Sequence, residues 1–293
     1  MRFKATLVDI NSISFLSKVV LGVAKLSKSC VIRLTATKIY FILTQNQLHG
    51  GTNLWCELPQ INFCSGYEFS GHTDRNETYM EVAMDLFGHA LKSAHQAQTL
   101  RIKLTQKATA CLTLEVVQPT LSINSSSRTV IHDIPIKIIP SRLWDEYKEP
   151  DIPEFEVSLY LPPLKIMKTV IERLKNISNA LCLSANQKGD LVLKIKSEMA
   201  AVSVSFKDLM QANWKETGSS QSQGSMIQPS SNRNASKFFE VTIDNKRLHA
   251  FLSSIQIPAD KIVCNIIANE AIQMFVINDQ LSLQYTIPAQ NII

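Results

Sequence analysis

The chain has 293 residues, of which 45% are hydrophobic, and a formal net charge of +5 at pH 7. This length and hydrophobic content can form two domains or one large one. No apolar run approaches the roughly 18 residues of a membrane-spanning helix, and the opening residues lack the continuous apolar stretch of a signal peptide. We therefore expect no membrane partner, and a location in the nucleus or the cytoplasm.

Cysteine usage argues against a disulfide framework and against a zinc site. No cysteine forms a C-x-x-C pair or stands at a zinc-finger spacing from histidine. Most of them lie in apolar runs, as small buried hydrophobic residues do. We therefore expect neither a metal nor another cofactor. The six cysteines are Cys30, Cys56, Cys64, Cys111, Cys182 and Cys264.

The first half of the chain alternates between strand and helix patterns. A strand pattern over 2–9 precedes helical periodicity over 11–27, and a second helical pattern covers 85–97. Apolar residues then alternate in "ACLTLEVV", with Leu112 and Leu114 on the same face. This alternation is typical of antiparallel sheets, because one face of such a sheet can stay in contact with solvent.

The same order of patterns returns in the second half. The strand pattern "FEVSLYL" precedes helical periodicity over 163–177, and another helical pattern covers 244–254, with Asp244 as a candidate N-cap. The dipeptide Ile134-Pro135 recurs as Ile287-Pro288 near the end of the last strand pattern. A repeat of this length predicts a duplicated α+β domain.

Two segments differ in composition from both halves of the repeat. Residues 140–153 contain three prolines and mixed charges, which is typical of an interdomain connector. Residues 212–236 are poor in apolar residues and rich in Ser, Gln, Asn and Gly, which predicts a flexible loop. The predicted domains are therefore residues 1–139 and 154–293, joined by the connector.

No catalytic motif is visible in the sequence. It contains no phosphate-binding G-x-x-x-x-G-K-[ST] loop, no G-x-G-x-x-G after a strand and no G-x-S-x-G elbow. The adjacent pair His132-Asp133 invites an acid–base interpretation, but neighbours on a strand point to opposite faces. We therefore expect no enzyme activity; a hydrolase on a duplicated β-rich fold would need a convergent polar pocket.

The polar faces of the four predicted helices carry mostly positive charge. Ten lysine and arginine residues stand there against three acidic residues, Asp85, Glu172 and Asp244. A solvated helix often carries lysine, so any one helix alone has an ordinary explanation. Four helices with the same bias predict a surface that contacts a phosphate backbone without reading bases, since no aromatic residue is interleaved for base stacking. The basic positions are Lys18, Lys25, Lys28, Lys92, Lys165, Lys168, Arg173, Lys175, Lys246 and Arg247, with His89, His95 and His249 beside them.

Several stretches resemble one family of proteins. They include "VAKLSKSCVIRL" (23–34), "SSSRTVIHDIPIKIIPSRLW" (125–144), "YLPPLKIMKTVIERLKNIS" (160–178) and "LSLQYTIPA" (281–289). The chain is similar in these stretches to DNA sliding clamps of the PCNA type, and among them to the Hus-one family of checkpoint clamp subunits. The resemblance implies two repeated βαβββαβββ domains, with antiparallel sheets outside and four helices on the inner face.

The resemblance also implies partners. It predicts a non-catalytic subunit of a heterotrimeric ring, the nine-one-one clamp, whose other subunits are of the Rad-nine and Rad-one types. A clamp loader containing Rad-seventeen would place the ring on double-stranded DNA at damage sites in the nucleus. The ring would then act as a scaffold for checkpoint kinase activation and for repair enzymes. The ten basic positions named above would face the DNA.

Two further sites follow from the resemblance. Subunits of this class join through edge strands, and the candidates are 109–117, with Leu112 and Leu114, and 199–206, with Val202 and Val204. A peptide pocket beneath the connector would be lined by four residues, for which ordinary core packing is the alternative. These four are Leu143, Trp144, Ile287 and Pro288. A homotrimeric replication clamp of the same fold remains the alternative function.

Overall fold

The structure is a computed structural model that describes residues 1–44, 51–71, 75–119, 128–150, 153–212, 235–259 and 261–290. Its contacts divide the chain into two compact units. The first unit takes its described residues from 1–43, 55–149 and 254–257, and the second from 44–54, 150–253 and 258–293. The predicted loop at 212–236 lies almost entirely outside the described residues.

The first unit contains two α-helices, α1 (Ile10–Leu26) and α2 (Met84–Lys92). A short 3-10 helix covers Gln60–Asn62. The strands are β1 (Arg2–Leu7), β2 (Ser29–Leu34), β3 (Lys38–Thr44), β4 (Asn53–Pro59), β5 (Gly66–Ser70), β6 (Thr78–Ala83), β7 (Thr99–Gln106), β8 (Ala110–Gln118) and β9 (Arg128–Ile138).

The strands of this unit follow the spatial order β4-β3-β2-β6-β9-β8-β7-β1-β5. Strand β9 connects two groups of strands, because it pairs with β8 along 128–135 and with β6 along 136–138. All the described pairings in the unit are antiparallel, as the alternating sequence pattern predicts.

Helix α1 forms where the sequence supplies both a cap and an apolar stripe. The Asp9 carboxylate accepts a hydrogen bond from the Ser12 backbone N–H at 3.0 Å, which satisfies one of the free donors of the first turn. Ile13, Leu16 and Val20 recur at helical spacing and are buried. The observed bounds lie within one residue of the predicted 11–27.

Helix α2 ends earlier than the sequence pattern predicts. It stops at Lys92, whereas the prediction extends to residue 97. After that point the backbone forms tighter bonds: the Ala94 N–H donates to the Leu91 carbonyl, and the Ala97 N–H donates to the Ala94 carbonyl. Buried Ala94 and Ala97 keep the helix-like spacing of apolar residues through these turns, so the apolar pattern extends beyond the end of the helix.

The second unit contains α3 (Leu164–Lys175) and α4 (Asn245–Ser254). The Asp244 carboxylate accepts a hydrogen bond from the Lys246 backbone N–H at 2.8 Å, as its predicted role as an N-cap requires. The strands are β10 (Val157–Tyr160), β11 (Ala180–Ala185), β12 (Leu191–Lys196), β13 (Ala201–Phe206), β14 (Phe239–Asp244), β15 (Lys261–Ile267), β16 (Ala271–Asn278) and β17 (Leu281–Pro288).

The second unit repeats the strand order of the first. Strands β13-β12-β11-β14 form one sheet, in the order of β4-β3-β2-β6, and β17-β16-β15-β10 match β9-β8-β7-β1. A single bridge between Ile243 and Ala289 joins β14 to the end of β17, as pairing joins β6 to β9. In the first unit β1 pairs with β5, whereas in the second unit β10 makes only a single bridge at this position, from Leu159 to Gln211.

Both units have the predicted order of a strand, a helix, several strands, a second helix and three strands. The predicted βαβββαβββ pattern has three strands between the helices, and the structure has five in the first unit, β2 to β6, and four in the second, β11 to β14. The extra strands β6 and β14 lead directly into α2 and α4. The predicted connector also contains a 3-10 helix, Ser141–Tyr147, whose Trp144 is buried.

The cysteines have the structural role that their apolar surroundings predict. All six are free thiols; Cys64 and Cys182 are partly buried, and the other four are buried. Burial raises the pKa of the Cys264 thiol to about 12, so the thiolate is not populated near neutral pH. Among the described residues, no group of three or more His, Cys, Asp or Glu could hold a metal ion.

Candidate nucleic-acid interface

In the first unit the predicted basic side chains are exposed. Lys18 and Lys25 lie on α1, Lys28 follows its end, and Lys92 closes α2. The two helices pack closely, because Gly88 has no side chain: a Cβ there would lie 3.0 Å from the Leu21 side chain. The apolar faces therefore pack inward and leave the lysines on the outside.

In the second unit the basic side chains are concentrated on α3. That helix carries four of them, with only Met167, Ile171 and Leu174 buried. Lys165 and Arg173 are exposed, and so is Lys246 on α4. The remaining side chains, Lys168, Lys175 and Arg247, are half-buried.

Some cations of the sheets are ion-paired: Lys103 pairs with Glu115, and Lys194 Nζ lies 2.8 Å from Glu240 Oε1. Other strand cations, such as Arg101 and Lys196, make no ion pair among the described residues. Within the described parts of the chain, six exposed cations of the ten predicted positions make no ion pair, and neither does the half-buried Lys175, whereas Arg247 Nε lies 3.7 Å from Asp244. These six are Lys18, Lys28, Lys92, Lys165, Arg173 and Lys246. Unpaired exposed cations keep their full attraction for a phosphate backbone.

One histidine that is not among the ten basic positions belongs to this surface. Lys175 Nζ lies 3.3 Å from His249 Nδ1 and 3.4 Å from Nε2. Burial and, after it, the Lys175 charge lower the pKa of His249 below 6.5. Sequence spacing within one helix cannot reveal this contact, because the two residues lie on different helices.

The first predicted edge strand is wrong. Leu112 and Leu114 lie in β8, which is paired with β7 on one side and with β9 on the other. Both side chains are buried, at 3% and 0% exposure. The alternation that suggested an edge marks an interior strand of the sheet.

One free edge of the first unit lies one strand further along the chain. Residues 128–135 of β9 pair with β8 only, because β6 begins its pairing at Ile136. No other described strand pairs with that part of β9. The exposed side chain of Ile131 lies on it. An unpaired row of backbone N–H and C=O groups is a template for pairing with another strand.

The second predicted edge strand lies at a sheet edge. Val202 and Val204 are in β13, which is the terminal strand of its sheet and pairs with β12 alone among the described strands. Both valines are half-buried. Elsewhere in the second unit, Ile166 at the start of α3 and Ile177 just beyond its end are exposed.

The four residues of the predicted peptide pocket are separated into two packing environments. Trp144 packs on Tyr79 at 4.9 Å between ring centroids and donates through Nε1 to the Ile139 carbonyl at 2.9 Å. Leu143 packs against the same hydrophobic cluster. In the second unit Ile287 is fully buried. The prediction that Trp144 and Ile287 form an open pocket wall is wrong for these side chains, because both are packed in cores.

The pair His132-Asp133 shows no catalytic geometry. Ser93 Oγ lies 2.8 Å from His132 Nε2, but its single proton is donated to the Ala90 carbonyl at 2.6 Å. Ser93 therefore accepts from His132 and is not activated as a nucleophile. Asp133 bonds to Lys107 and Thr113 on the other face, and these bonds lower its pKa.

The structure describes no helix that is long and apolar enough to cross a membrane.

Comparisons with known proteins agree with the fold. A family model described as Hus1-like protein matches residues 1–291. The human checkpoint protein HUS1 is 40% identical over 290 residues, which is 99% of each chain. The checkpoint protein hus1 of Schizosaccharomyces pombe is 27% identical and covers 90% of this chain and 88% of the relative.

Solved structures of the PCNA type share the fold at low sequence identity. PCNA from Thermococcus kodakaraensis has a TM-score of 0.68 at 12% identity, covering 98% of this chain and 100% of that one. Proliferating Cellular Nuclear Antigen from Entamoeba histolytica has a TM-score of 0.69 at 11% identity, covering 98% of each chain. The chain therefore belongs to the Hus1 family of checkpoint proteins, and it is a non-catalytic clamp subunit with the PCNA-like fold.

Proposed function

We propose that this chain is one of three subunits in a heterotrimeric ring that encircles double-stranded DNA at sites of damage in the nucleus. Its partners are two related clamp subunits of the Rad-nine and Rad-one types, and a loader containing Rad-seventeen places the ring on DNA. The ring holds DNA by closure and provides a scaffold for checkpoint kinase activation and repair enzymes. The exposed helix cations that make no ion pair in the described parts of the chain carry the proposal.

These helix cations fit a surface that slides along DNA. Six exposed ones lack a carboxylate partner in the described parts of the chain, so they can exchange counterions for phosphates. Some sheet cations, in comparison, are already neutralised by carboxylates such as Glu115 and Glu240. Electrostatic contact without base readout suits a ring that must bind any sequence.

The two free edges support assembly through strand pairing. Residues 128–135 of β9 offer one edge and β13 offers the other, on different units of the same chain. A subunit with two such edges can join a neighbour at each side, as closure of a ring by head-to-tail contacts requires. Because one chain carries both edges, a self-trimer that acts as a replication clamp is the second candidate.

The deciding experiment is co-purification of the chain with its two presumed relatives, followed by mass measurement by light scattering. We expect a one-to-one-to-one complex, and a monomer when the chain is alone. A self-trimer of the chain alone would support the replication clamp, and failure to bind either relative would refute the ring.

The edge on β9 is tested by Ile131→Arg, because Ile131 is 57% exposed and its replacement leaves the core intact. We expect weaker assembly on one side of the subunit. The matched control is Ile61→Arg, which changes a residue that is 80% exposed in the 3-10 helix Gln60–Asn62, away from both edges. Equal assembly of the two variants would show that β9 is not an interface.

The DNA surface is tested by two triple variants of the assembled ring. Replacing Lys165, Arg173 and Lys246 by Gln should lower the salt slope of duplex binding by about three, roughly one per lost phosphate contact. Replacing the paired sheet cations Lys4, Lys103 and Lys194 by Gln should leave that slope unchanged. The opposite ranking would place the DNA on the sheets.

A further inference from the structure

Lys175 on α3 makes an unusual contact for a lysine at a charged surface. Its ammonium lies 3.3–3.4 Å from both ring nitrogens of His249 on α4. Among the described residues it makes no ion pair with a carboxylate. An ammonium has only donors, and a neutral imidazole accepts through one of its two nitrogens, so a hydrogen bond between them uses one nitrogen and requires the neutral ring. A cation is therefore held beside a second group that could itself become a cation.

The surrounding charges determine how His249 responds to a ligand. Lys175 opposes its protonation, whereas Glu172, also on α3, favours it. On α4 itself the neighbours are the exposed Lys246 and the half-buried Arg247, and Arg247 lies near Asp244. The resulting pKa is below the ordinary 6.5, with burial as the largest cause and Lys175 as the next.

We propose that Lys175 and His249 form a phosphate subsite, and that His249 takes up a proton when a phosphate of duplex DNA occupies it. The proposal rests on the proposed function, since it concerns the same DNA-facing surface. It adds a residue that is not among the ten predicted basic positions, and it adds a chemical response, proton uptake on binding.

The step follows from the donors and acceptors that are present. A phosphodiester oxygen accepts hydrogen bonds and carries negative charge. When it approaches, the Lys175 ammonium can donate to that oxygen instead of to the His249 ring nitrogen. The freed nitrogen then binds one proton from solvent, and both residues donate to the phosphate. No bond other than hydrogen bonds and this N–H bond is made or broken.

The sign of the pH dependence is fixed by this step. Free His249 is neutral near pH 7, because its pKa lies below 6.5. The bound state holds more protons than the free state, so the affinity for duplex rises as the pH falls. A single residue can raise it by at most about tenfold per pH unit, since one proton is taken up.

The first measurement is the pKa of His249 by NMR titration of the full chain. It is made without ligand, with a short DNA duplex at low salt, with inorganic phosphate, and with sodium chloride at matched ionic strength. We expect the duplex and inorganic phosphate to raise the pKa and chloride to leave it unchanged. His132, whose ring contacts Ser93 in the first unit, is followed in the same spectra as an internal reference.

The second measurement is duplex affinity of the assembled ring at pH 6, 7 and 8. His249→Gln keeps a polar side chain but cannot titrate, so it should flatten the pH dependence. Lys194→Gln, which changes a cation on β12 outside the subsite, should leave that dependence as in the unmodified ring. Lys175→Gln should weaken binding at all three pH values and lower the salt slope by about one.

The outcomes separate this proposal from the proposed function. If the duplex binds and the pKa of His249 stays constant, the subsite is refuted while the clamp function stands. If inorganic phosphate raises the pKa and the duplex does not, the pair binds free anions and the assignment to DNA is wrong. If the ring forms but never binds duplex, the proposed function fails together with the subsite.

Discussion

The two units share one order of strands and helices, but their first helices divide their residues differently between core and surface. Helix α1 buries seven of its 17 residues, whereas α3 buries three of its 12. Helix α1 carries two lysines, Lys18 and Lys25, and α3 carries four basic residues. The repeated fold therefore needs only a narrow apolar stripe on this helix, and the rest of its surface is free to diverge.

The contact between the two helices of each unit differs in the same way. In the first unit Leu21 packs against Gly88, so the contact is apolar and close. In the second unit Lys175 and His249 meet through polar atoms. A polar contact of this kind can exchange its partner for a ligand, whereas the apolar contact contributes only to packing.

The two strands that were predicted to be edges also differ between the units, and in the same direction as the helices. Strand β8 of the first unit is enclosed between two neighbours, and β13 of the second unit has one. Their sequences both alternate, so the difference lies in what pairs with them. The alternating pattern of a strand therefore indicates which of its faces is buried, but it does not indicate whether its edge is free.

The largest effect that tests this comparison is expected from Leu114→Ala in β8. Leu114 is fully buried, so its truncation should lower the free energy of unfolding by about 2–5 kcal/mol. Val204→Ala in β13 removes a half-buried side chain at the sheet edge and should cost less than about 1.5 kcal/mol. Urea denaturation of both variants measures the difference. Equal costs would mean that β8 is no more enclosed than β13.

The sequence predicts the helices because their signals are local. Asp9 caps α1 and Asp244 caps α4, and the apolar residues recur at helical spacing. The duplication is also visible, since each half repeats the same alternation. The end of α2 is not predictable in this way, because Ala94 and Ala97 continue the apolar spacing through turns that are no longer helical.

The parts of the site that the sequence does not predict depend on pairing between distant residues. The free edge on β9 exists because β6 pairs with β9 only from Ile136 onward. No sequence pattern within β9 indicates where this pairing ends. Trp144 looks like a pocket residue in a connector, but Tyr79 and the Ile139 carbonyl hold it in a core. The unpaired state of the helix cations likewise depends on where carboxylates lie in space.

A smaller effect tests the close packing of the first unit's helix α1. A Cβ at Gly22 would lie 2.4 Å from the backbone oxygen of Ser254, a residue of the same unit. Backbone cannot move aside as a side chain can, so Gly22→Ala should lower the free energy of unfolding by about 1–3 kcal/mol. The measurement is thermal or urea unfolding.

The matched control for this variant is Gly88→Ala in α2. Its Cβ would meet only the end of the Leu21 side chain, at 3.0 Å, and that side chain can rotate. The gain in helix propensity, roughly 0.5–1 kcal/mol, should offset the contact. A neutral Gly22→Ala variant would contradict the close approach of α1 to the Ser254 backbone.

The smallest expected effect comes from surface ion pairs, whose nitrogen–oxygen distances differ between the two units. In the second unit Lys194 Nζ lies 2.8 Å from Glu240, and this hydrogen bond lowers the pKa of Glu240 below 4.5. In the first unit the pair Lys4–Glu68 is looser, at 3.6 Å. Both pairs are largely exposed, so neither should contribute more than about 1 kcal/mol.

The lowered pKa of Glu240 determines how its contribution to stability changes with pH. Because the folded-state pKa of Glu240 lies below its ordinary value, its contribution is present above about pH 4.5 and is lost as the pH falls through the folded-state pKa. Glu240→Gln should therefore lower the free energy of unfolding by about 0.2–1 kcal/mol at pH 7, less in high salt, and not at pH 2. Glu68→Gln should change it less at pH 7, because its carboxylate is farther from the lysine. Urea titrations at both pH values decide the matter, and a loss in Glu240→Gln that persists at pH 2 would show that packing, rather than charge, stabilises this edge of the sheet.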